Sequence, residues 1–133
     1  MVLGTADAAG RPWVSPVWFA TEDARTFFWV SSPDARHSRN LAARPQVSLA
    51  IFDSAQAPGT GRAVYVEAEA AEVAGADVDS GMRVFDRRSV EQGLREWTVE
   101  AVRAPARHRL YRATASELFV LGDGDVRVPV PSP

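Results

Sequence analysis

Residues 62–73, RAVYVEAEAAEV, alternate between apolar and polar side chains over most of their length. Val64, Val66 and Ala68 fall on one side of this alternation, and a tyrosine and two glutamates fall between them on the other. A period of two places successive side chains on opposite faces of an extended chain, so the segment predicts a β-strand with one buried and one solvated face. Such a half-buried strand is typical of an antiparallel sheet.

Other short apolar segments are separated by turn residues and predict further strands. Val2 to Ala6 is followed through Gly10 by PWVSPVWFA and through TEDAR by TFFWVSS, which predicts a three-stranded meander. Pro12 and Pro16 lack the N–H that a central strand needs, so the second strand is expected at an edge, at a bulge or facing a ligand. QVSLAIFD, RHRLYRATA and ELFVLG continue the series. The pattern favours an all-β closed sheet with a few helices, because a small barrel removes exposed edges.

The first helix is predicted where the third strand ends. Ser32 is a candidate N-cap, Pro33 suits the first helical position, and Pro45 closes the helix, which is therefore expected over residues 33–44.

A second helical region is predicted over residues 77–103, where Ser89 and Gln92 have the spacing of a capping box. No internal repeat or second composition interrupts the chain, so a single domain is expected over residues 1–128. The proline-rich segment 129–133 is expected to form an extended or disordered tail.

Composition excludes several classes of function. The 133 residues carry 15 Lys+Arg against 17 Asp+Glu, and this formal net charge of -2 argues against a nucleic-acid or anionic-membrane partner. The absence of cysteine excludes disulfides, thiolate nucleophiles and cysteine-ligated metals, and two histidines make a poor metal site. The sequence contains neither a signal-like N-terminal segment nor a bilayer-spanning apolar stretch, so a cytoplasmic location is expected.

Polar and basic residues surround the start of the first predicted helix. Free N–H groups and the helix dipole favour an anion there, and Ser31 and Ser32 can add hydroxyl donors. Arg36 and Arg39 lie three positions apart on one helical face, where their guanidinium groups can grip a phosphate. Aromatic residues flank the segment and suit a planar ring that carries this phosphate. They are Trp13, Trp18, Phe19, Phe27, Phe28 and Trp29.

The runs GRPWVSPVWF, FFWVSSPDARHSRNLAARPQVSLAIFD and RAVYVEAEAAEV together resemble the pyridoxamine 5'-phosphate oxidase-like flavin-binding split barrels, including relatives that use the deazaflavin coenzyme F420. The similarity is clearest over residues 3–73. It implies a mainly β fold, a six-stranded antiparallel Greek-key split barrel, in a homodimer that binds FMN in a cleft at the subunit boundary.

The resemblance also implies cofactor contacts. Residues 15–18 would lie along the isoalloxazine ring, Val30 and Ser31 would meet the ribityl and phosphate end, and Arg36 and His37 would bind the phosphate. Hydride chemistry belongs to the cofactor, so no catalytic residue and no metal ligand is assigned. With the anion site added, the expected cofactor-binding residues are Ser15, Pro16, Val17, Trp18, Val30, Ser31, Ser32, Arg36, His37 and Arg39.

Three departures from the family pattern bear on the substrate. Ser15 stands where the true oxidases have a basic residue, Ala20 where they have a lysine, and Ala63 where a glutamine touches the flavin. We therefore expect an FMN-binding oxidoreductase that acts on another small molecule. The alternatives are an F420-dependent reductase and a non-catalytic flavin- or heme-binding module, in which His108 is the candidate heme ligand. A base-stacking nucleic-acid barrel is disfavoured by the net acidity.

Overall fold

The computed structural model describes residues 1–57 and 59–131. Within these residues, eight strands form one antiparallel sheet that is open and split-barrel-like, with two α-helices packed against it. The mainly β, antiparallel fold predicted from the sequence is confirmed. The strands are β1 Val2–Ala6, β2 Pro12–Pro16, β3 Ala20–Thr21, β4 Thr26–Ser31, β5 Gln46–Phe52, β6 Ala63–Glu72, β7 Arg109–Leu121 and β8 Arg127–Pro129. The helices are α1 Arg36–Ala43 and α2 Asp77–Glu91, and single 3₁₀ turns occur at Val99–Ala101 and Asp123–Asp125.

The sheet contains two strands more than the six expected. Its order is β2-β1-β5-β6-β7-β4-β3, and β8 pairs with β7 beside this path. The additional strands are β3, with two residues, and β8, with three. The predicted tail therefore begins as a strand, because Arg127–Pro129 pairs with the end of β7. Residues 132–133 of that tail lie outside the described part of the chain.

The predicted meander of the first three strands is wrong. Instead of a single strand, residues 12–21 form β2 and β3, separated by Val17–Phe19. β2 pairs with β1, and β3 pairs with β4, so the two halves lie at opposite ends of the strand order. Pro12 and Pro16 bound β2 and lack an N–H for a second ladder, which explains its edge position. The prediction of an edge strand is confirmed.

Buried side chains form two clusters, one on each side of β4 and β7. The inner cluster includes Leu3, Trp29, Leu49 and Val66, each no more than 2% exposed. In β6, Val66 and Ala68 are buried while the intervening Glu67 is exposed, which confirms the alternation predicted for this strand.

The second cluster joins α2 to the other side of β4 and β7. Phe28 and Leu110 from the strands meet Met82 and Phe85 from the helix. Gly81 provides the close approach, since an added Cβ would lie 2.8 Å from side-chain atoms of both Leu110 and Phe28. This packing fixes α2 against the sheet.

The helix α1 is shorter than predicted because its first turn is replaced by a tighter one. Its N-cap is Ala35, in extended conformation, and no side chain caps the helix. Ser32 Oγ instead accepts a hydrogen bond from the main-chain N–H of Asp34 at 3.2 Å. The assignment of Ser32 as N-cap and of Pro33 as the first helical residue is therefore wrong. At the other end, Arg44 is extended, as expected for a residue before proline.

The predicted capping box lies at the wrong end of a helix, because Ser89 is in the last turn of α2 and Gln92 is its C-cap, so that prediction is also wrong. Ser89 lies in the last turn of the helix, is 1% exposed, and donates a hydrogen bond from Oγ to the carbonyl of Arg95 at 2.7 Å. Gly93, at φ +69°, ends the helix in the left-handed conformation that glycine favours. Among the described residues, no helix combines the length and apolar character needed to cross a bilayer.

Candidate functional site

A buried histidine connects two strands that are far apart in the sheet. His37, in the first turn of α1, is 9% exposed. Its Nε2 lies 2.7 Å from Ser31 Oγ at the end of β4, and its Nδ1 lies 3.1 Å from Ser15 Oγ in the edge strand β2. The structure thus brings three of the predicted cofactor-binding residues together around one imidazole ring.

The His37 ring is favoured in its neutral form. Burial lowers the pKa of the imidazole below its usual value. A neutral imidazole has one N–H donor and one acceptor nitrogen, and either tautomer is satisfied because a serine hydroxyl both donates and accepts. At neutral pH the ring therefore contributes hydrogen bonds and no positive charge to this part of the molecule.

Arg36 supplies the positive charge beside this cluster. Its guanidinium lies over the Trp13 ring, with Cζ 4.3 Å from the ring centroid, in a cation–π contact. Trp13 is in turn fixed by a hydrogen bond from Nε1 to Ser15 Oγ at 3.1 Å. Arg36 is exposed, and within residues 1–57 and 59–131 it forms no ion pair with a carboxylate. Its side chain is therefore positioned and available to an anion.

Three other predicted site residues face elsewhere. Ser32 stabilises the loop before α1, since its carbonyl accepts a hydrogen bond from Ser38 Oγ at 2.7 Å. Arg39 donates to the carbonyl of Asp34 and lines a separate cavity of about 420 Å³ between α1 and the sheet. Val30 is half-buried against the α2 cluster. The positions of Ser32, Arg39 and Val30 are therefore explained by contacts within the protein.

His37, Ser15 and Ser31 are called the His37 cluster below. The residues that follow Ser15 in the sequence line an open cavity of about 830 Å³. Pro16, Val17 and Trp18, which directly follow Ser15, form one wall, and the last two turns of α2 form the wall opposite. Five residues of α2 and its C-cap line this wall and were not predicted, and the sequence carries no local pattern that would have indicated them. They are Val84, Arg87, Arg88, Glu91 and Gln92.

The main-chain groups of Val17 are already paired. Its N–H donates to the carbonyl of Met1 at 2.9 Å, and its carbonyl accepts from the Met1 amino group at 3.0 Å. Paired and unpaired positions alternate along an antiparallel ladder, so the Pro16 carbonyl and the Trp18 N–H point away from β1. These two groups, rather than those of Val17, are the main-chain partners that residues 16–18 offer to a ring.

Trp18 joins the two walls of the cavity. Its Nε1 donates to Gln92 Oε1 at 2.8 Å, and its ring meets Phe85 edge-on at a centroid distance of 4.8 Å. A second link is the ion pair between Arg87 and Glu22, with N and O 3.1 Å apart. The cavity is thus held by contacts between residues far apart in the chain.

Comparison with known proteins identifies the family of this fold. The family model described as pyridoxamine 5'-phosphate oxidase matches residues 1–121. The pyridoxine/pyridoxamine 5'-phosphate oxidase of Streptomyces avermitilis is 45% identical over 49 residues, which are 37% of this chain and 22% of that protein. The match therefore spans about a fifth of the curated relative's length.

Solved structures with the same fold include proteins that bind different groups. HutZ, the heme storage protein of Vibrio cholerae, is 27% identical with a TM-score of 0.70, over 90% of this chain and 83% of its own. A heme-binding protein of Mycobacterium smegmatis has a TM-score of 0.73 at 19% identity, over 97% of this chain and 51% of its own. A FAD-binding protein of Mesorhizobium loti has a TM-score of 0.63 at 20% identity, over 90% and 82%. The match over residues 1–121 shows that this chain belongs to the pyridoxamine 5'-phosphate oxidase family.

Proposed function

We propose that this protein is a flavin-binding oxidoreductase that holds FMN between the His37 cluster and the cavity. The observation that carries the proposal is the continuity of residues 15–18. Ser15 contacts His37 beside the exposed guanidinium of Arg36, while the next three residues line the cavity. A ligand that lies along residues 15–18 can therefore place its phosphate near Arg36 and its ring against the apolar wall of the cavity.

The residues present fit the phosphate end of such a cofactor. Arg36 provides a permanent charge and forked N–H donors, and Trp13 holds it in place. Ser31 provides a hydroxyl whose position is set by His37. The first N–H groups of α1, the helix that carries Arg36 and His37, have no main-chain acceptor inside the helix and no side-chain cap. The phosphate charge would then be balanced chiefly by Arg36.

The ring end of the site fits a planar group. Trp18 and Val17 supply apolar surface, and the Pro16 carbonyl and Trp18 N–H supply an acceptor and a donor. Bound FMN would supply two-electron transfer to or from a small molecule, while the protein binds, orients and shields it from water. No side chain of the described cavity needs to act as a catalytic acid or base in this proposal.

Pyridoxamine phosphate is not the substrate that these residues suit. Ser15 is engaged by His37 and Trp13, and Ala20 is 1% exposed, so neither offers a cation to a substrate phosphate. Ala63 offers no side-chain polar group to a flavin. F420 is the alternative cofactor, because it too joins a tricyclic ring to a phosphate, and its acidic tail would require further arginines such as Arg44 or Arg62.

The test of this proposal is spectroscopic. The purified protein, as isolated and after removal of any bound chromophore, is titrated separately with FMN, riboflavin and F420. Micromolar or tighter FMN binding is expected, with riboflavin weaker because it lacks the phosphate, and the bound FMN is expected to be reduced by a nicotinamide or artificial donor. Indifference to both FMN and F420 would rule out the proposal.

A heme-binding module is the second candidate, favoured by the 27% identity to HutZ over nine tenths of this chain. His108 is its candidate iron ligand, because both nitrogens of His37 are occupied by serines. His108 is half-buried and packs edge-on against Trp97 at a centroid distance of 6.3 Å. A Soret band on adding hemin that moves in His108→Ala, with no FMN binding, would favour this function.

We also propose that the protein is a homodimer through the outer face of the sheet. Val2, Ala50, Tyr65 and Phe119 are cross-strand neighbours in one row on that face. They line a shallow cavity of about 390 Å³ together with Val14, which is 64% exposed. An apolar row of this kind on a sheet surface is suited to burial against a second copy.

A further inference from the structure

Two buried polar side chains connect α1 to the edge strand of the sheet. Asn40 of α1 and Thr5 of β1 are each 5% exposed. Asn40 Nδ2 donates a hydrogen bond to Thr5 Oγ1 at 3.0 Å, and Thr5 Oγ1 donates to the carbonyl of Trp13 in β2 at 3.3 Å. These hydrogen bonds form a relay, called the Asn40 relay below, that runs from the helix through β1 to the edge strand.

The chemistry of the Asn40 relay defines its direction. A hydroxyl has one hydrogen, which Thr5 gives to the Trp13 carbonyl, so the same oxygen accepts from Asn40. The atom of Asn40 that faces Thr5 must therefore be the amide nitrogen. A buried amide without a partner is costly, so Asn40 depends on a hydroxyl at position 5.

The relay ends on the residue that holds the candidate phosphate ligand. Asn40 follows Arg36 by four positions, or about one turn of the same helix. The Trp13 ring lies under the Arg36 guanidinium, with Cζ 4.3 Å from the ring centroid. The helix and the edge strand are thus joined by a buried hydrogen-bond relay and, one turn away, by an exposed cation–π contact.

The edge strand has few other restraints near Trp13. Among the described strands β2 pairs with β1 alone, and four of its five residues are exposed. The contact between Ser15 and His37 restrains its last residues. An exposed cation–π contact is weak, whereas a hydrogen bond defines both distance and direction. The Asn40 relay therefore supplies the restraint at Trp13 that the cation–π contact cannot supply.

From this arrangement we infer that Asn40 and Thr5 are positioning residues of the phosphate site. Their relay sets the separation between α1 and β2 and thereby places the Trp13 ring beneath Arg36. Both side chains are buried, so they act through Trp13 and Arg36 and not on a ligand. The inference rests on the proposed function for the identity of the anion, but the position of Trp13 is measured without a cofactor.

A paired substitution separates positioning from stability. Thr5→Val combined with Asn40→Leu replaces both polar groups by apolar groups of similar size, which is nearly neutral for folding. Met1 and Val17 form a hydrogen-bonded pair at the start of the β1–β2 ladder, and such pairs recur at every second residue. Thr5 and Trp13 are therefore also such a pair, and the Trp13 carbonyl keeps a main-chain donor. The double variant should unfold at a urea concentration close to that of the wild-type protein.

The affinity for FMN is expected to fall in the double variant by about threefold to tenfold, because a displaced Arg36 loses part of its charge-assisted hydrogen bond to phosphate. Riboflavin affinity should not change. Thr5→Ser keeps the hydroxyl and should retain the wild-type FMN affinity. Ser89→Ala is the matched control, since it removes a buried hydrogen bond of α2 outside the relay and should leave the ratio of FMN to riboflavin affinity unchanged.

The indole N–H of Trp13, which donates to Ser15 Oγ, reports the position of the edge strand without a cofactor. Its signal in the proton–nitrogen NMR spectrum, assigned with Trp13→Phe, is expected to shift in the double variant and to stay in place in Ser89→Ala. Asn40→Leu alone, which leaves Thr5 bonded to Trp13, gives the same readouts if the double variant does not fold.

The outcomes separate the relay from the proposed function. An unshifted Trp13 signal, or an equal loss of FMN and riboflavin affinity, would overturn the inference. A shifted Trp13 signal in a protein whose wild type does not bind FMN would support the role of the relay in placing Trp13 and would contradict the proposed function.

Discussion

The Nε2 of His37 lies 2.7 Å from the Oγ of Ser31, and this contact joins α1 to the end of β4. The opposite nitrogen of the ring reaches Ser15 of β2, which is the edge strand at the other end of the sheet order. A single buried imidazole thus ties together both strands that flank the candidate phosphate site. This explains why a histidine here is compatible with the fold even though it supplies no charge in its neutral form.

The free energy of unfolding should fall as the pH decreases below about 6.5, the ordinary pKa of an unfolded histidine. Burial lowers the pKa of His37 in the folded protein, so the folded state binds fewer protons than the unfolded state. Its contribution to stability is complete above pH 6.5 and is lost progressively as the pH falls through the folded pKa. Urea unfolding at a series of pH values from 5 to 8 measures this dependence.

His37→Gln is the control for this pH dependence. Glutamine retains a donor and an acceptor but does not titrate, so the slope between pH 5 and 6.5 should decrease relative to the wild-type protein. The variant should also be less stable at pH 7 by about 1–3 kcal/mol, because a buried hydrogen-bond network is disturbed. Equal slopes in the two proteins would show that His37 is not the group responsible.

FMN affinity should change little between pH 7 and 9. The family resemblance implies that His37 binds the phosphate, and a protonated His37 in that role would make FMN affinity fall as the pH rises past the imidazole pKa. The lowered pKa of the buried ring places its titration below this range, which leaves Arg36 as the relevant cation. Fluorescence titrations of FMN at constant ionic strength test this point, and a steep loss of affinity between pH 7 and 8 would show that a protonated His37 contacts the phosphate.

Arg36→Gln should weaken FMN by about 1.5–3 kcal/mol, or roughly 10- to 100-fold, because a charge-assisted hydrogen bond to phosphate is lost. Riboflavin, which has no phosphate, should bind the variant and the wild-type protein equally. Arg83→Gln is the matched control, since Arg83 is an exposed arginine of α2 that does not line the cavity. An equal loss for FMN and riboflavin would indicate a structural effect through Trp13 in place of a phosphate contact.

Local sequence patterns predicted the strands better than the helix ends. Apolar and polar residues alternate around Val66 because one face of β6 is buried and the other is exposed. The sequence shows this alternation directly, as a period of two. The start of α1 was placed three residues early because Ser32 and Pro33 suit a helix start and a turn equally well. In the structure the turn is stabilised by Ser38 of α1, whose hydroxyl donates to the carbonyl of Ser32, six positions earlier.

The cavity could not be predicted because its contacts join distant parts of the chain. Trp18 and Gln92 are separated by 74 positions, and their hydrogen bond depends on α2 packing beside the broken β2–β3 segment. The sequence does not predict the break between β2 and β3, because residues 12–21 have the pattern of a single apolar strand. The sequence did bring Ser15, Ser31 and His37 together through the family resemblance, but it gave no indication that they bind one another.

Val14→Glu should convert the proposed dimer to a monomer. Val14 is exposed on the outer face of the sheet, where a second copy would bury the new carboxylate without a partner at a cost of several kcal/mol. Sedimentation equilibrium of both proteins at the same concentration measures the change. Val90→Glu is the matched control, because Val90 is an exposed valine of α2, and it should leave the mass unchanged. A wild-type protein that sediments as a monomer would contradict the dimer proposal itself.

Gly81→Ala should destabilise the protein even though alanine favours helices. The added Cβ would lie 2.8 Å from atoms of Leu110 and Phe28, both buried beneath α2. Overpacking of this kind costs about 1–3 kcal/mol, or more where the neighbours cannot move, and it outweighs the roughly 1 kcal/mol gained from helix propensity. Gly61→Ala, at a position where the new Cβ meets no atom within 4 Å, is the control and should be nearly neutral.

The same substitution links the helix to the cavity. If α2 moves outward to accommodate the methyl group, Gln92 moves away from Trp18, and the affinity for riboflavin, which reports the ring end of the site, should fall together with stability. The ratio of FMN to riboflavin affinity, which reports phosphate recognition at Arg36, should be retained. Chemical denaturation and the two binding titrations on one preparation measure all three quantities. A stabilised Gly81→Ala variant with unchanged riboflavin binding would show that α2 is not held as closely to β4 and β7 as the structure indicates.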